Sequence, residues 1–266
     1  MVSNNGSLTA QTIKNVTYGN DPLQKMDVYL PAGRNTLHTK ALILIHGGGA
    51  WTSGDKADFD TAIQTLQNSL PNFVLCNINY RTATIQGANV WPAQLSDINS
   101  AFQFIQQQQV KYIINAGKSA IFGARAGAQL ALLLGYTVPN KIKAVVDLFG
   151  LTDLAGLYYN TPYPTYPALL PIFMSGTPAT NIPGHISSNP LYLVITANLP
   201  STIIFHGTAD DVIPISQSDS LNNRLIQYNI THQYNQYAGA GHGWTGVNLI
   251  DTYNKSIQFL QQIMPD

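Results

Sequence analysis

Two rhythms of apolar residues alternate along this chain. One is the short unbroken run, as in Lys40-Ala41-Leu42-Ile43-Leu44-Ile45 before His46, which predicts a strand covered on both faces. Similar runs predict strands over 73–80, 119–122, 142–149 and 201–205, and 232–237 reads as a further strand. Two shorter alternating patterns, Asn15–Tyr18 and Met26–Leu30, closed by Pro31, predict early antiparallel edge strands. The other rhythm is helical. It predicts helices over about 57–70, stopped by Pro71, and from Pro92 through Leu95, Ile98, Ala101, Phe102 and Ile105. Polar Gln106–Gln109 should solvate the last turn of that second helix. Further helices are expected over 126–134, 214–228 and 246–264. Strands alternating with helices define an α/β protein with a mostly parallel sheet and helices on both faces.

One stretch breaks the alternation. Residues 153–200 collect Tyr158, Tyr159, Tyr163 and Tyr166 among Pro162, Pro164, Pro167 and Pro171. They read as an insertion that covers a cleft, the alternative being an ordinary long surface connection. No internal repeat is present, and residues 1–266 are expected to form one domain.

Composition narrows the classes of function. A chain of 266 residues buries a sizeable core without metals or disulfides. Its formal net charge is zero, so no basic footprint argues for nucleic acid. Charged residues are 10% of the chain against roughly 25% in typical soluble domains, with Asn, Gln, Ser, Thr and Tyr in their place. That balance leans towards an exported or periplasmic bacterial protein, with a cytoplasmic location as the alternative. Met1 to Leu8 carries neither a basic nor an apolar leader pattern. No apolar run reaches the roughly 18 to 20 residues of a membrane span. Cys76, the single cysteine, lies in the apolar run Phe73-Val74-Leu75-Cys76 and reads as a small buried hydrophobe.

Four segments carry the candidate chemistry. A buried strand runs into His46-Gly47-Gly48-Gly49-Ala50-Trp51, and glycines there let backbone N–H groups approach a ligand oxygen. Ile121-Phe122-Gly123-Ala124-Arg125-Ala126-Gly127 joins an apolar strand to an apolar helix through small residues. His206-Gly207-Thr208-Ala209-Asp210-Asp211 follows a later strand, and Gly239-Ala240-Gly241-His242-Gly243-Trp244 follows the last one. Asp210 or Asp211 could also cap the following helix, and Asp211 is better placed for that. Asn79-Tyr80-Arg81 and Trp91-Pro92-Ala93-Gln94-Leu95-Ser96-Asp97 complete the set.

In this order the segments resemble the α/β-hydrolase superfamily, and within it the hormone-sensitive-lipase-like and feruloyl-esterase-like carboxylesterases. The resemblance runs from about residue 25 to the C-terminus and is weakest over 153–200. It implies an α/β-hydrolase fold and carboxylic ester hydrolysis without a cofactor. It also implies oxyanion donors at Gly48, Gly49 and Ala126, an orienting acid at Asp210 and a base at His242. His242 stands 32 positions after Asp210, in the family's order. No motif histidines and carboxylates have metal-ligand spacing. The Tyr- and Pro-rich cover would suit small or aryl esters, such as acetyl or feruloyl groups on plant polysaccharide.

At one position the chain departs from the pattern. The centre of G-x-S-x-G, where the family places its serine nucleophile, is Arg125. A guanidinium has five donors and no acceptor, so it cannot attack a carbonyl. Loss of the nucleophile alone costs about 10⁶-fold in kcat in a serine hydrolase. No other G-x-[SC]-x-G is present; Ser119 precedes its strand, and Ser53 and Ser175 lack an elbow. The elbow backbone is strained and opens a helix whose N-terminus disfavours a cation, so Asp210 or a bound anion is expected to offset the arginine. Three explanations fit: a non-catalytic relative binding a carboxylate- or phosphate-bearing ligand, a serine esterase whose serine was substituted, or hydrolysis with His242 activating water directly.

Overall fold

The computed structural model describes residues 8–115 and 117–266. The reading of Met1 to Ser7 as free of a leader pattern lies outside them. In chain order the elements are β1 (Gln11–Thr17), β2 (Lys25–Leu30), β3 (Lys40–Ile45), α1 (Asp60–Ser69), β4 (Phe73–Ile78), α2 (Ala93–Gln107) and α3 (Gln109–Tyr112). They continue as β5 (Ser119–Ala124), α4 (Ala126–Thr137), β6 (Ile142–Leu148), α5 (Leu154–Asn160), α6 (Tyr166–Phe173) and α7 (Ile182–Ser187). The last are β7 (Ser201–Gly207), α8 (Ser216–Gln227), β8 (His232–Tyr237) and α9 (Gly246–Ile263).

Among the described residues one eight-stranded sheet runs in the order β1-β2-β4-β3-β5-β6-β7-β8. Only β1, β2 and β4 pair antiparallel; the strands from β4 to β8 are parallel. The alternation of β3 explains the two layers. Ala41, Ile43 and Ile45 face a core with α2, α4 and α8, whereas Leu42 and Leu44 face one with α1 and α9. Fully burying each such Leu or Ile contributes about 1.5–3 kcal/mol, so the central strands are the firmest part of the molecule. Catalytically interesting loops leave the C-terminal ends of these parallel strands, where open α/β sheets bind ligands.

Several boundaries differ from the sequence reading. The first helix starts as a 3₁₀ turn, Lys56–Phe59, capped by the side chain of Asp55, and becomes α-helical only at Asp60. Strand β4 ends at Ile78, which releases Asn79–Arg81 from the sheet. The tail of α2 is not simply solvated: both polar side-chain atoms of Gln106 are buried without a partner, and α3 follows almost at once. α4 runs on to Thr137, because the missing side chain of Gly135 admits Val145; an added Cβ would lie 2.6 Å from Val145 Cγ2. Residues 153–200 carry the short helices α5, α6 and α7. No helix among the described residues is long and apolar enough to cross a membrane.

Candidate functional site

The junction of β5 and α4 is built from backbone contacts rather than side chains. Arg125 sits between them at φ 57° and ψ −122°, a region that costs a non-glycine residue about 1–3 kcal/mol. Main-chain bonds hold it there. Its N–H donates to Leu148 O at 2.9 Å, and its carbonyl accepts from Ala128 and Gln129 N–H at 3.1 and 3.2 Å. The two flanking glycines are needed because α4 presses on its neighbours. A Cβ on Gly127 would lie 2.2 Å from the carbonyl oxygens of Ile45 and His46, and one on Gly123 would lie 2.4 Å from Gly127 O.

The glycine loop lies against this junction. Gly48 has φ 129°, and a Cβ there would meet Ser53 O at 1.9 Å. His46 stacks on Tyr80 at 4.2 Å, and the Tyr80 hydroxyl donates to the His46 and Gly47 carbonyls, each at 3.2 Å. The residues released by the early end of β4 therefore pin the loop. Burial holds the His46 imidazole below its usual pKa. Among the described residues the N–H groups of Gly48 and Ala126 make no hydrogen bond. Gly49 N–H instead donates to Ser53 Oγ at 3.3 Å, so it is the least free of the three expected donors.

Asp210, in the loop after β7, and His242, after β8, come together. His242 Nδ1 lies 2.8 Å from Asp210 Oδ2 and 3.1 Å from Oδ1. Asp210 Oδ1 also accepts from the Val212 and Ile213 N–H groups at 2.9 and 2.8 Å, which shapes the turn that follows. Asp211 takes no capping role: α8 begins later, with Ile215 at its N-cap and no side-chain cap. His206 approaches Asp210 Oδ2 at 3.4 Å through Nε2, while its Nδ1 meets Ser218 Oγ at 2.7 Å. Burial alone would raise the Asp210 carboxyl. Hydrogen bonds from His206, His242 and the Ile213 N–H override it and hold the carboxyl well below the usual range. A histidine oriented by an ionised acid in this way is the arrangement of a general base.

Arg125 does not turn towards Asp210. The oxygens of that carboxylate are already taken by two histidines and two backbone N–H groups. The guanidinium lies instead over the Phe149 ring, with Cζ 5.8 Å from its centroid. Among the described residues no carboxylate stands within ion-pair distance of it. Arg125 and His242 together separate two cavities. The larger, about 640 Å³, is walled by Phe59, Leu148, Phe149, Trp244 and Tyr253, with Asp58 also on its lining. The smaller, about 310 Å³, lies between Gly48, Gly49 and Ala126 on one side and Tyr163, Tyr166 and Leu169 on the other. Of the four tyrosines singled out in the sequence, Tyr163 and Tyr166 reach this wall; Tyr158 and Tyr159 pack edge-on against each other.

Sequence reasoning passed over Phe149. It holds φ 40°, packs edge-on to His242 at 5.1 Å and to Trp244 at 5.0 Å, and underlies Arg125. The residue closes an apolar strand, and nothing in the periodicity sets it apart. Tyr80 was marked by its motif, although its role as a loop anchor needs three dimensions. Among the described residues no three His, Cys, Asp or Glu side chains cluster to hold a metal ion.

Comparison with known proteins agrees with this architecture. The profile of the family described as BD-FAE matches residues 26–225. Esterase LipC of Mycobacterium tuberculosis is 26% identical over 94% of this chain and 65% of its own length. The probable carboxylic ester hydrolase LipM of the same organism is 26% identical over 68% of this chain and 43% of its own. The chain thus spans less than two thirds of these relatives. Among solved structures, a truncated carbohydrate esterase from gut microbiota superposes with a TM-score of 0.80, covering 98% of this chain and 99% of that one at 23% identity. The bifunctional GH43-CE protein of Bacteroides eggerthii gives 0.79 at 26% identity, over 94% of this chain and 38% of that one. The eight-stranded, mostly parallel sheet with its flanking helices is the α/β-hydrolase fold.

Proposed function

We propose, from the premise that this chain belongs to the BD-FAE family, that it is a carboxylic ester hydrolase framework with Arg125 at the nucleophile position. In this form it is inactive, or severely impaired, in ester hydrolysis. The observation that carries the reading is the backbone of Arg125: a φ of 57° at a strand-to-helix turn, beside an oriented His242–Asp210 pair. In this reading Asp210 fixes the imidazole of His242. Gly48 and Ala126 N–H groups face the developing oxyanion, with Gly49 assisting after it leaves Ser53. Residues 153–200 cover the site within a single domain. The missing part is an oxygen able to give its proton to His242 and attack the acyl carbon. The carbohydrate esterase among the structural neighbours supports small acyl esters carried on carbohydrate as the substrate class of the complete site.

Restoring that oxygen tests the reading. Arg125→Ser should hydrolyse p-nitrophenyl acetate at least about 10³-fold faster than the parent chain. A serine variant with an unchanged circular dichroism spectrum and no hydrolysis would sink the proposal.

A second reading concerns the chain as it stands, namely that it binds an anionic ligand at Arg125. It is supported by the guanidinium itself, half-buried at the mouth of two cavities and without a carboxylate partner among the described residues.

A further inference from the structure

The guanidinium of Arg125 chooses between the two cavities. Its Cζ lies over Phe149, and its Nη2 is 3.6 Å from where a Cβ on Gly243 would sit. Phe149 and Gly243 line the larger cavity and not the smaller. The aliphatic stem passes Gly47, which lines that same larger cavity, with Cβ and Cδ 3.2 and 3.1 Å from that residue's virtual Cβ. The cation is thus delivered to a cavity of about 640 Å³, within the size range of small-molecule sites.

The rest of that cavity is mainly aromatic and aliphatic, with Asp58, His242 and Thr245 as further polar side chains on its lining. Phe59, Leu148, Phe149, Trp244 and Tyr253 supply the walls. The indole N–H of Trp244 is spent on Thr252 Oγ1 at 2.8 Å, so this ring offers the cavity carbon rather than a donor. Asp58 is the one carboxylate on this lining, and it has no ion-pair partner among the described residues. Arg125 therefore attracts an anion, while Asp58 on the same lining opposes a second negative charge on it.

We infer that Arg125 and Asp58 make the larger cavity a site for a singly charged carboxylate with an apolar body, and that Asp58 excludes phosphate and dicarboxylates. The inference rests on the second reading above and specifies its ligand class. The carboxylate engages the guanidinium as a two-pronged pair, which suits Arg better than Lys. The body displaces water from the aromatic walls, each buried methylene strengthening binding about fourfold.

Isothermal titration calorimetry of the full chain with hexanoate, benzoate, acetate, succinate and inorganic phosphate tests it. Hexanoate and benzoate should bind at least about tenfold more tightly than acetate, with a negative heat-capacity change from apolar burial. Phosphate and succinate should bind at least about tenfold more weakly than hexanoate. Arg125→Gln should abolish hexanoate binding. Leu249→Trp, which narrows the cavity from another wall, should reduce hexanoate to the level of acetate. Asp58→Asn should raise phosphate and succinate affinity severalfold and hexanoate affinity by a smaller factor, because repulsion scales with the charge on the ligand. Equal affinity for acetate and hexanoate, preference for phosphate, or indifference of Asp58→Asn to the dianions would each overturn the inference. If anions bind in an Arg125-dependent way but without this selectivity, the broader anion reading survives and only its ligand class fails. If no anion binds, both fall. Hydrolysis by Arg125→Ser reports on the ester framework independently of either.

Discussion

Asp147 is a carboxylic acid held wholly out of water. It lies on β6 with no exposed surface, accepts the Gly150 N–H at 2.8 Å through Oδ1, and leaves Oδ2 without a partner. Burial pushes its pKa up from 3.8 to about 7, against the opposing pull of the Gly150 N–H and of His206. A folded pKa above the unfolded one means the folded state holds the proton more tightly. Stability from this group is therefore complete below about pH 4 and is lost as the pH rises through about 7, with a ceiling of about 4 kcal/mol. Asp147→Asn should remove that slope: urea midpoints at pH 5 and pH 8 should converge in the variant and differ in the parent. An identical slope in both would mean that Asp147 does not titrate there. Asp210 has the opposite sign, favouring the fold above its unfolded pKa and withdrawing that support in acid. The sequence could not separate the two carboxylates. Asp147 sits in an apolar run that reads simply as strand, and only the third dimension removes its water and its partners.

Helices and strands were mostly legible because burial imposes periodicity. β3 and β8 have the bounds read from the sequence, whereas β4 loses two residues to the loop that Tyr80 anchors. The elbow was legible as spacing, although spacing alone does not say why its glycines are glycines. The answer lies between elements: the first turn of α4 rides on the carbonyls that end β3, with no room for a methyl group at Gly127. Gly127→Ala should therefore cost about 1–3 kcal/mol or more by overpacking backbone against backbone, where no rotamer change offers relief. Denaturant midpoints measure it directly. A loss below about 0.5 kcal/mol would show that α4 can slide away from β3.

At the scale of the molecule, residues 153–200 are joined to the rest of the fold by polar staples as well as by buried apolar side chains such as Leu154, Leu170 and Phe173. Gln217 of α8 accepts from the Thr152 and Asp153 N–H groups at 2.8 and 2.7 Å and donates to Asp153 O at 3.1 Å. Gln129 of α4 donates to Ser188 O at 2.6 Å, and the Trp91 indole to Ser187 Oγ at 3.0 Å. Gln217→Ala strands two N–H groups, which costs about 2–4 kcal/mol in sum where they stay dry. Limited proteolysis should then cut within 153–200 several times faster than in the parent while the sheet survives; unchanged cleavage would show that the other staples suffice. These contacts join segments far apart in sequence, and neither glutamine carries a local pattern, so the segment was legible as an interruption but not in its attachment. The elbow, by contrast, takes its shape from glycines and main-chain bonds and asks little of the side chain at position 125. Arginine and serine share codons that differ by one base. A gene carrying such a codon at position 125 stands a single point mutation from the serine form, with no refolding of the chain required in between.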